Sequence, residues 1–146
     1  MLVRADGSHF STGRCRFSDH DPGSDEPTAK ILVKVEPESL DLVILAQLDT
    51  GAPWSILDAQ VAEALSLLDG EGEPAPLSTR FGILRGRLER IRLYIVADEG
   101  DTLSVDATVW VSRDWPGGTF LGYGGLLERI RFAVDPGDNS FYFGPS

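Results

Sequence analysis

The amino-acid sequence predicts a small all-β domain, a barrel or a sandwich. Short segments alternate apolar and polar residues with the period of two that is typical of strands. Glycine, proline and aspartate cluster between these segments, as they do in turns. Only two short stretches have helical spacing, and no internal repeat is present. With 146 residues, 42% of them apolar, the chain can build one hydrophobic core.

Composition limits the partners and the compartment. The net charge of -10 argues against nucleic acid or an anionic membrane as a partner, because both would repel the protein. No apolar stretch reaches transmembrane length, and the N-terminus lacks the apolar core of a signal peptide. Cys15 is the only cysteine, so no intramolecular disulfide can form. We therefore expect a soluble, cytoplasmic protein.

The N-terminal region differs in composition from the rest of the chain. Residues 1–27 are polar and rich in Gly, Ser and Asp, which predicts a flexible arm, with Cys15 as an incidental thiol inside it. Residues 28–146 form the predicted domain. His20 lies between two aspartates, but no second His or Cys stands at ligand spacing, so we predict no metal site and no cofactor.

The first half of the domain contains two predicted strands and a helix. Residues 31–35 alternate and end before Pro37, while residues 42–48 are almost continuously apolar, which favours a strand covered on both faces. Asp58 can cap a short helix. The apolar residues of that helix recur at helical spacing: Val61, Leu65 and Leu68.

The second half predicts a hairpin and a closing pair of strands. Residues 91–95 and 103–111 alternate around a turn at 98–101, and Asp106 and Trp110 are interpreted as surface residues of the second strand. The remaining predicted elements are one or two helical turns and two short strands: residues 126–130, 131–134 and 139–143.

One junction suggests chemistry. Asp49-Thr50-Gly51 directly follows the apolar run that ends at Leu48. Burying a carboxylate costs free energy unless it is paired or hydrogen-bonded, so an acid at this place indicates a functional site. Gly51 lets the backbone turn sharply and leaves room for a substrate to approach.

These residues resemble the retropepsin-like aspartic proteases, the single-lobe enzymes of retroviral type. The resemblance rests on residues 48–52, on Phe120-Leu121-Gly122 and on the Leu126-Leu127 pair that follows. Residues 126–136 and 141–144 also resemble the C-terminal part of bacterial members, so that the match extends over residues 31–144. The resemblance implies a small closed, mostly antiparallel β-barrel with one or two short helices, one of them after Gly122.

The resemblance also implies an aspartic endopeptidase that cleaves peptide bonds as a homodimer. Two neighbouring carboxylates share one proton, so that one can activate water while the other protonates the carbonyl oxygen. This chain holds a single Asp-Thr-Gly, and Asp21 and Asp135 lie in Asp-Pro-Gly turns whose proline removes a backbone donor. The second carboxylate must then be Asp49 of another copy.

Further roles follow from the resemblance residue by residue. Thr50 would lock the two catalytic loops together across the dimer. Gly51 and Ala52 would contact the substrate backbone. Leu121 and Gly122 would pass behind the catalytic loop and hold it.

The substrate-covering flap is predicted in residues 78–87, with Phe81, Gly82, Ile83 and Leu84 as substrate-binding residues. The alternative is an ordinary hairpin loop. Trp54 either shapes a subsite or packs under the catalytic loop.

The sequence departs from the retroviral enzymes at two positions. Pro53 and Tyr123 stand where those enzymes carry an acidic residue and an arginine. Because both members of that ion pair are missing together, no charge is left unpaired.

Two other functions remain open, and one surface is predicted for dimerisation. The chain could be an inactive retropepsin-like module for dimerisation or peptide binding, or a small-ligand barrel with an accidental motif and Asp49 on its outer surface. Residues 140–143 are the predicted dimer contact, because Phe141 and Phe143 share one face and an exposed strand edge would need a partner.

Overall fold

The structure, a computed structural model, describes residues 1–146 as eleven strands, one α-helix and one 3-10 turn. The strands are β1 (Gly13–Arg16), β2 (Leu32–Pro37), β3 (Ile44–Leu48), β4 (Ser55–Ile56), β5 (Glu73–Thr79), β6 (Gly82–Ile95), β7 (Glu99–Gly100), β8 (Leu103–Val111), β9 (Thr119–Leu121), β10 (Ile130–Asp135) and β11 (Ser140–Pro145). Helix α1 is Ala59–Ala64, and the 3-10 turn is Leu127–Arg129. No helix combines the length and the apolar composition that crossing a bilayer requires.

Six of the strands close into a barrel. Their order is β2-β3-β9-β4-β8-β6, and pairing between β2 and β6 completes the circle. Two neighbouring pairs, β3 with β9 and β4 with β8, are parallel, and the other pairs are antiparallel. The predicted small closed, mostly antiparallel β-barrel is therefore confirmed.

The predicted helical elements are confirmed as short. Asp58 caps α1, because its Oδ1 accepts a hydrogen bond from the amide of Gln60 at 2.8 Å. The 3-10 turn falls inside the predicted residues 126–130. The hairpins β6–β8 and β10–β11 also form where the alternation predicts them.

Strand β3 differs from its prediction. It begins at Ile44, and Leu42, Val43 and Leu45 are 40% to 50% exposed. The prediction of a strand covered on both faces is wrong, because only one face of this barrel strand packs against the core and the other meets solvent.

The prediction that Trp110 is a surface residue is wrong. Its side chain is fully buried, although alternation along β8 directs it out of the barrel. The reason is the β5–β6 hairpin, which covers the outer face of β8: the indole Nε1 of Trp110 donates to the carbonyl of Ala75 at 2.7 Å, and Gly86 lies against the ring. A small second core forms there, from Ile56, Leu77 and Trp110.

A second sheet, β10-β11-β1-β7, includes part of the predicted N-terminal arm. Residues Gly13–Arg16 pair with β11, and Cys15 and Phe17 are buried in the main core. Starting the domain at residue 28 is therefore wrong, because this short strand is part of the packed fold. Its alternation of Gly13, Cys15 and Phe17 is too short to stand out among polar neighbours.

The predicted dimer contact through residues 140–143 is also wrong. Strand β11 has β10 on one side and β1 on the other, so it has no free edge. Phe141 and Phe143 are fully buried in the core of their own chain. Strand β11 therefore has no edge to offer a second copy.

The burial of Cys15 makes a testable prediction. Loss of hydration raises the pKa of the Cys15 thiol to about 12, so the reactive thiolate is absent at neutral pH. We expect iodoacetamide to leave the native protein unmodified at about pH 8 and to alkylate it fully in denaturant, as read by mass spectrometry. Rapid alkylation of the native protein would show that β1 does not pack as described.

Candidate active site

Asp49 lies directly after β3, at a point where the backbone is held from two sides. Its amide donates to the carbonyl of Leu121 at 2.9 Å, continuing the parallel pairing of β3 with β9. Its own carbonyl accepts from the amide of Ala52 at 3.2 Å, which closes a tight turn over residues 49–52. The position of Asp49 is therefore set by the barrel and not by a mobile loop.

The carboxylate of Asp49 is oriented by the same turn. Its Oδ1 accepts a hydrogen bond from the amide of Gly51 at 3.0 Å, and the residue is half-buried. None of the salt bridges in the chain involves Asp49. One carboxylate oxygen is thus fixed, and the group has no cationic partner within its own chain.

The segment behind this turn is anchored by a buried hydroxyl. The amide of Gly122 donates to Oγ of Ser55 at 2.9 Å, and Ser55 is almost completely buried. A side chain on Gly122 would run into the backbone of Trp54, so only glycine allows this close approach. The structure therefore brings Leu121 and Gly122 against the Asp49 turn.

Two more hydrogen bonds join the same segments. The amide of Tyr123 donates to the carbonyl of Ala52 at 2.9 Å, and the amide of Gly124 donates to the carbonyl of Pro53 at 3.0 Å. The segments that contain Pro53 and Tyr123, the positions that depart from the retroviral pattern, are therefore joined by backbone hydrogen bonds and not by charge.

Ser55 is not among the site residues that the sequence predicts. The sequence feature that could have identified it is a hydroxyl residue in a short apolar segment directly after the Asp-Thr-Gly-Ala turn. A buried hydroxyl needs a hydrogen-bond partner, and the amide at the end of a crossing strand supplies it. Nothing in the sequence specifies which strand crosses there.

Thr50 and Tyr123 lie at the outer surface of the site. Thr50 is exposed and its hydroxyl makes no hydrogen bond within the chain. The Tyr123 side chain is 54% exposed. Both are available to groups outside this chain.

A cleft of about 610 Å³ begins at Ala52 and Pro53, next to the Asp49 turn. It extends between the tip of the β5–β6 hairpin and the loop of residues 115–118. Most of its side-chain surface is apolar, with Ile56, Leu77, Phe81, Trp115 and Phe120 among the lining residues. The cleft can hold apolar side chains next to the turn that carries Asp49.

The tip of the β5–β6 hairpin is a two-residue turn at Arg80 and Phe81. Gly82 follows it with a φ of +101°, a conformation that favours glycine. Thr79 stabilises the turn, since its Oγ1 donates to the carbonyl of Gly82 at 2.9 Å and accepts from the amide of Phe81 at 3.0 Å. Phe81 and Ile83 remain 58% and 74% exposed.

The predicted substrate-binding residues separate into two groups. Ala52 and Phe81 line the cleft, and Gly51 is next to it in the chain. Trp54 and Leu84 instead pack against the small second core. For Trp54 this geometry favours the second interpretation, packing under the loop.

Gly82 and Ile83 start β6 and lie outside the cleft lining. Residues 115–118, which the sequence predicts only as a break between strands, form one wall of the cleft. There Trp115 packs edge to face against Phe120 with ring centroids 6.0 Å apart, and its Nε1 donates to the carbonyl of Gly118 at 2.9 Å.

No group of three or more His, Cys, Asp or Glu side chains is arranged to bind a metal ion.

Comparison with known proteins identifies the fold. No protein-family model and no curated protein matches the sequence. Among solved structures, the chain is similar to the crystal structure of a retropepsin-like aspartic protease from Rickettsia conorii, with a TM-score of 0.58 and 17% sequence identity over 88% of this chain and 97% of that one. The protein therefore has the all-β fold of the retropepsin-like class.

The Ser55 contact can be tested by removing its hydroxyl. Ser55→Ala leaves the buried amide of Gly122 without a partner, and we expect the free energy of unfolding to fall by about 1–3 kcal/mol. Urea denaturation measures this. The control is Ser78→Ala, since Ser78 is exposed and makes no side-chain hydrogen bond. Equal stabilities of the two variants would contradict the anchoring role of Ser55.

Proposed function

We propose that the protein is an aspartic endopeptidase that works as a homodimer, with Asp49 of each copy forming one catalytic dyad. The observation that carries this proposal is the Asp49 turn itself. It fixes one half-buried carboxylate, without a cation of its own chain, in a turn whose last residue, Ala52, lines an apolar cleft inside a retropepsin-like fold.

The chemistry needs two carboxylates. To hydrolyse an amide without a metal or a covalent nucleophile, a base must take a proton from water and an acid must protonate the carbonyl oxygen. Two carboxylates a few ångströms apart share one proton and can serve as both, and the pair titrates as a unit. One chain supplies only one such turn, so the second Asp49 comes from another copy.

The surface around Asp49 supports this arrangement. Thr50 has an unused hydroxyl at the surface, where it can hydrogen-bond to the same loop of a second copy across a two-fold axis. Gly51 adds no side chain that would keep two such loops apart. Leu121 and Gly122, with Ser55 behind them, keep the loop rigid enough for the two acids to meet.

The substrate is proposed to be an extended peptide that lies between the catalytic turn and the β5–β6 hairpin. The hairpin acts as a flap, with Phe81 at its tip covering the cleft and excluding water. An extended peptide can hydrogen-bond to backbone on both sides while its apolar side chains enter the cleft. Trp115 and Phe120 favour large apolar side chains next to the scissile bond.

Asp49→Asn tests the proposed chemistry. An amide cannot accept the proton of the attacking water, so we expect peptide cleavage to fall to the level of a blank without enzyme. A diverse peptide library incubated at several pH values, with and without pepstatin, and analysed by mass spectrometry measures cleavage and specificity together. Asp41→Asn, a change of an exposed acid that precedes strand β3 and lies outside the cleft lining, should keep the wild-type rate. Cleavage by Asp49→Asn at the wild-type rate would refute the proposal.

Mixing the two proteins tests whether the site is shared. If a fixed amount of wild-type protein exchanges subunits with an equal amount of Asp49→Asn, random pairing should reduce its activity to about half. Addition of Asp41→Asn, which keeps both acids, should not reduce activity. An unchanged rate with Asp49→Asn would show that each chain works alone.

The alternative, an inactive dimerisation or peptide-binding module, has a distinct outcome. Such a module would bind library peptides without cleaving any of them, and Asp49→Asn would bind them equally well.

A further inference from the structure

The apolar cleft next to the Asp49 turn has a single charged side chain in its lining. That residue is Arg80, the first of the two residues at the tip of the β5–β6 hairpin. The other lining residues are apolar residues, glycines and small hydroxyl residues. Arg80 is not among the substrate-binding residues that the sequence predicts, yet it is the only lining side chain that can form an ion pair with a ligand.

The guanidinium group of Arg80 has no acidic partner within the chain. Arg80 is exposed, and none of the salt bridges involves it, although the chain holds 23 acidic residues. Its Cζ lies 5.2 Å from the centroid of the Phe81 ring. A cation is attracted to an aromatic face and keeps its hydrogen-bond donors free there. The Phe81 ring therefore supports the guanidinium group without neutralising its charge.

The hairpin is a basic segment of an acidic protein. Residues 74–88 contain three arginines and no acidic residue, whereas the whole chain has a net charge of -10. Glu73 and Glu89 flank this segment, and both lie at the base of the hairpin. Glu73 stands opposite Leu88, and Glu89 accepts a hydrogen bond from the amide of Gly72 at 2.9 Å. The tip therefore keeps its positive charge.

Arg80 is the only arginine of the hairpin that lines the cleft. Residues directly opposite one another in an antiparallel hairpin share a face, and successive residues alternate between faces. Leu77 lines the cleft and stands opposite Leu84, so Arg85 projects from the other face of the hairpin. There Arg85 lines a separate cavity of about 320 Å³.

We infer that Arg80 forms a carboxylate-binding subsite, and that the cleft takes extended peptides with a glutamate or aspartate close to a large apolar residue. The guanidinium group can donate two parallel hydrogen bonds to one carboxylate. The apolar side chain would enter the cleft beside Trp115 and Phe120 while the acid reaches Arg80. This inference rests on the proposed function, because it names the substrate class of the same cleft.

The exposure of Arg80 limits the size of the preference. Ion pairs at exposed sites contribute little, because both charges stay partly hydrated and both side chains lose freedom. Phe81 reduces the second cost, since it holds the guanidinium group in place before a peptide arrives. We therefore expect a glutamate peptide to bind about fivefold more tightly than the same peptide with glutamine.

Local charge and net charge act in opposite directions on such a peptide. The net charge of -10 repels an acidic peptide and attracts a basic one, although salt screens this effect beyond about 8 Å. A general electrostatic effect would therefore favour lysine over glutamate. A preference for glutamate identifies a local contact.

Peptide binding to the Asp49→Asn protein tests the subsite without cleavage. The peptides have blocked ends and a central Phe, and each carries one Glu, Gln or Lys at a single position within three residues of that Phe. Calorimetry measures their affinities at about pH 7, where glutamate is ionised. We expect Glu to bind about fivefold more tightly than Gln at one position or more, with Lys weakest there.

Charge reversal assigns the preference to one residue. Arg80→Glu, added to Asp49→Asn, should abolish the preference for Glu and make Lys the tightest of the three. Arg85→Glu in the same background is the matched control. It replaces another exposed arginine of the same hairpin and changes the net charge by the same amount, but it acts on the opposite face. The preference for Glu should therefore persist.

The outcomes separate this inference from the proposed function. No preference for Glu at any position, an unchanged preference after Arg80→Glu, or an equal reversal by Arg85→Glu overturns the subsite. A preference that depends on Arg80, combined with no cleavage of these peptides by the wild-type protein, leaves the subsite standing and rejects the peptidase. Cleavage of the Glu, Gln and Lys peptides at equal rates leaves the peptidase standing and rejects the subsite.

Discussion

The architecture of the site depends on how buried backbone groups are satisfied where β3, β4 and β9 meet. The amide of Asp49 uses the carbonyl of Leu121, and the amide of Gly122 uses the hydroxyl of Ser55. An unsatisfied polar group inside a core costs more free energy than a typical hydrogen bond contributes. These two bonds therefore restrict which residue types can occupy the neighbouring positions. They require glycine at position 122 and a small hydroxyl residue at position 55. These two hydrogen bonds thereby fix the position of the Asp49 carboxylate.

A second constraint places the cleft. The β5–β6 hairpin extends beyond the barrel and would have little support if it did not bury Trp110 on its inner side. The same packing, continued through Trp115 and Phe120, forms one wall of the cleft. Packing that stabilises the hairpin thus also gives the site its apolar surface. The tip of the hairpin, where Phe81 is exposed, makes few such contacts, so moving the tip costs less free energy.

What the sequence could predict was local, and what it could not predict was long-range. Period-two alternation, the Asp58 cap and the Asp-Thr-Gly turn each involve neighbours in the chain, so the barrel strands, α1 and the position of Asp49 were predictable. Trp110 was misassigned because its cover comes from a hairpin elsewhere in the sequence. Cys15 was misassigned because β1 is only four residues long and gains its stability from β11. No local sequence pattern predicts that the β5–β6 hairpin covers Trp110 or that β11 pairs with β1.

The negative net charge opposes the association of two copies of the chain. Each copy carries -10, so association is opposed by repulsion that acts over the whole surface and is screened beyond about 8 Å at physiological ionic strength. A dimer must overcome this with contacts at short range. Hydrogen bonds and a shared proton act at such distances, whereas a diffuse polar surface does not. In the proposed dimer, the Thr50 hydroxyls and the proton shared by the two Asp49 carboxylates would supply these contacts at the place where the two chains meet.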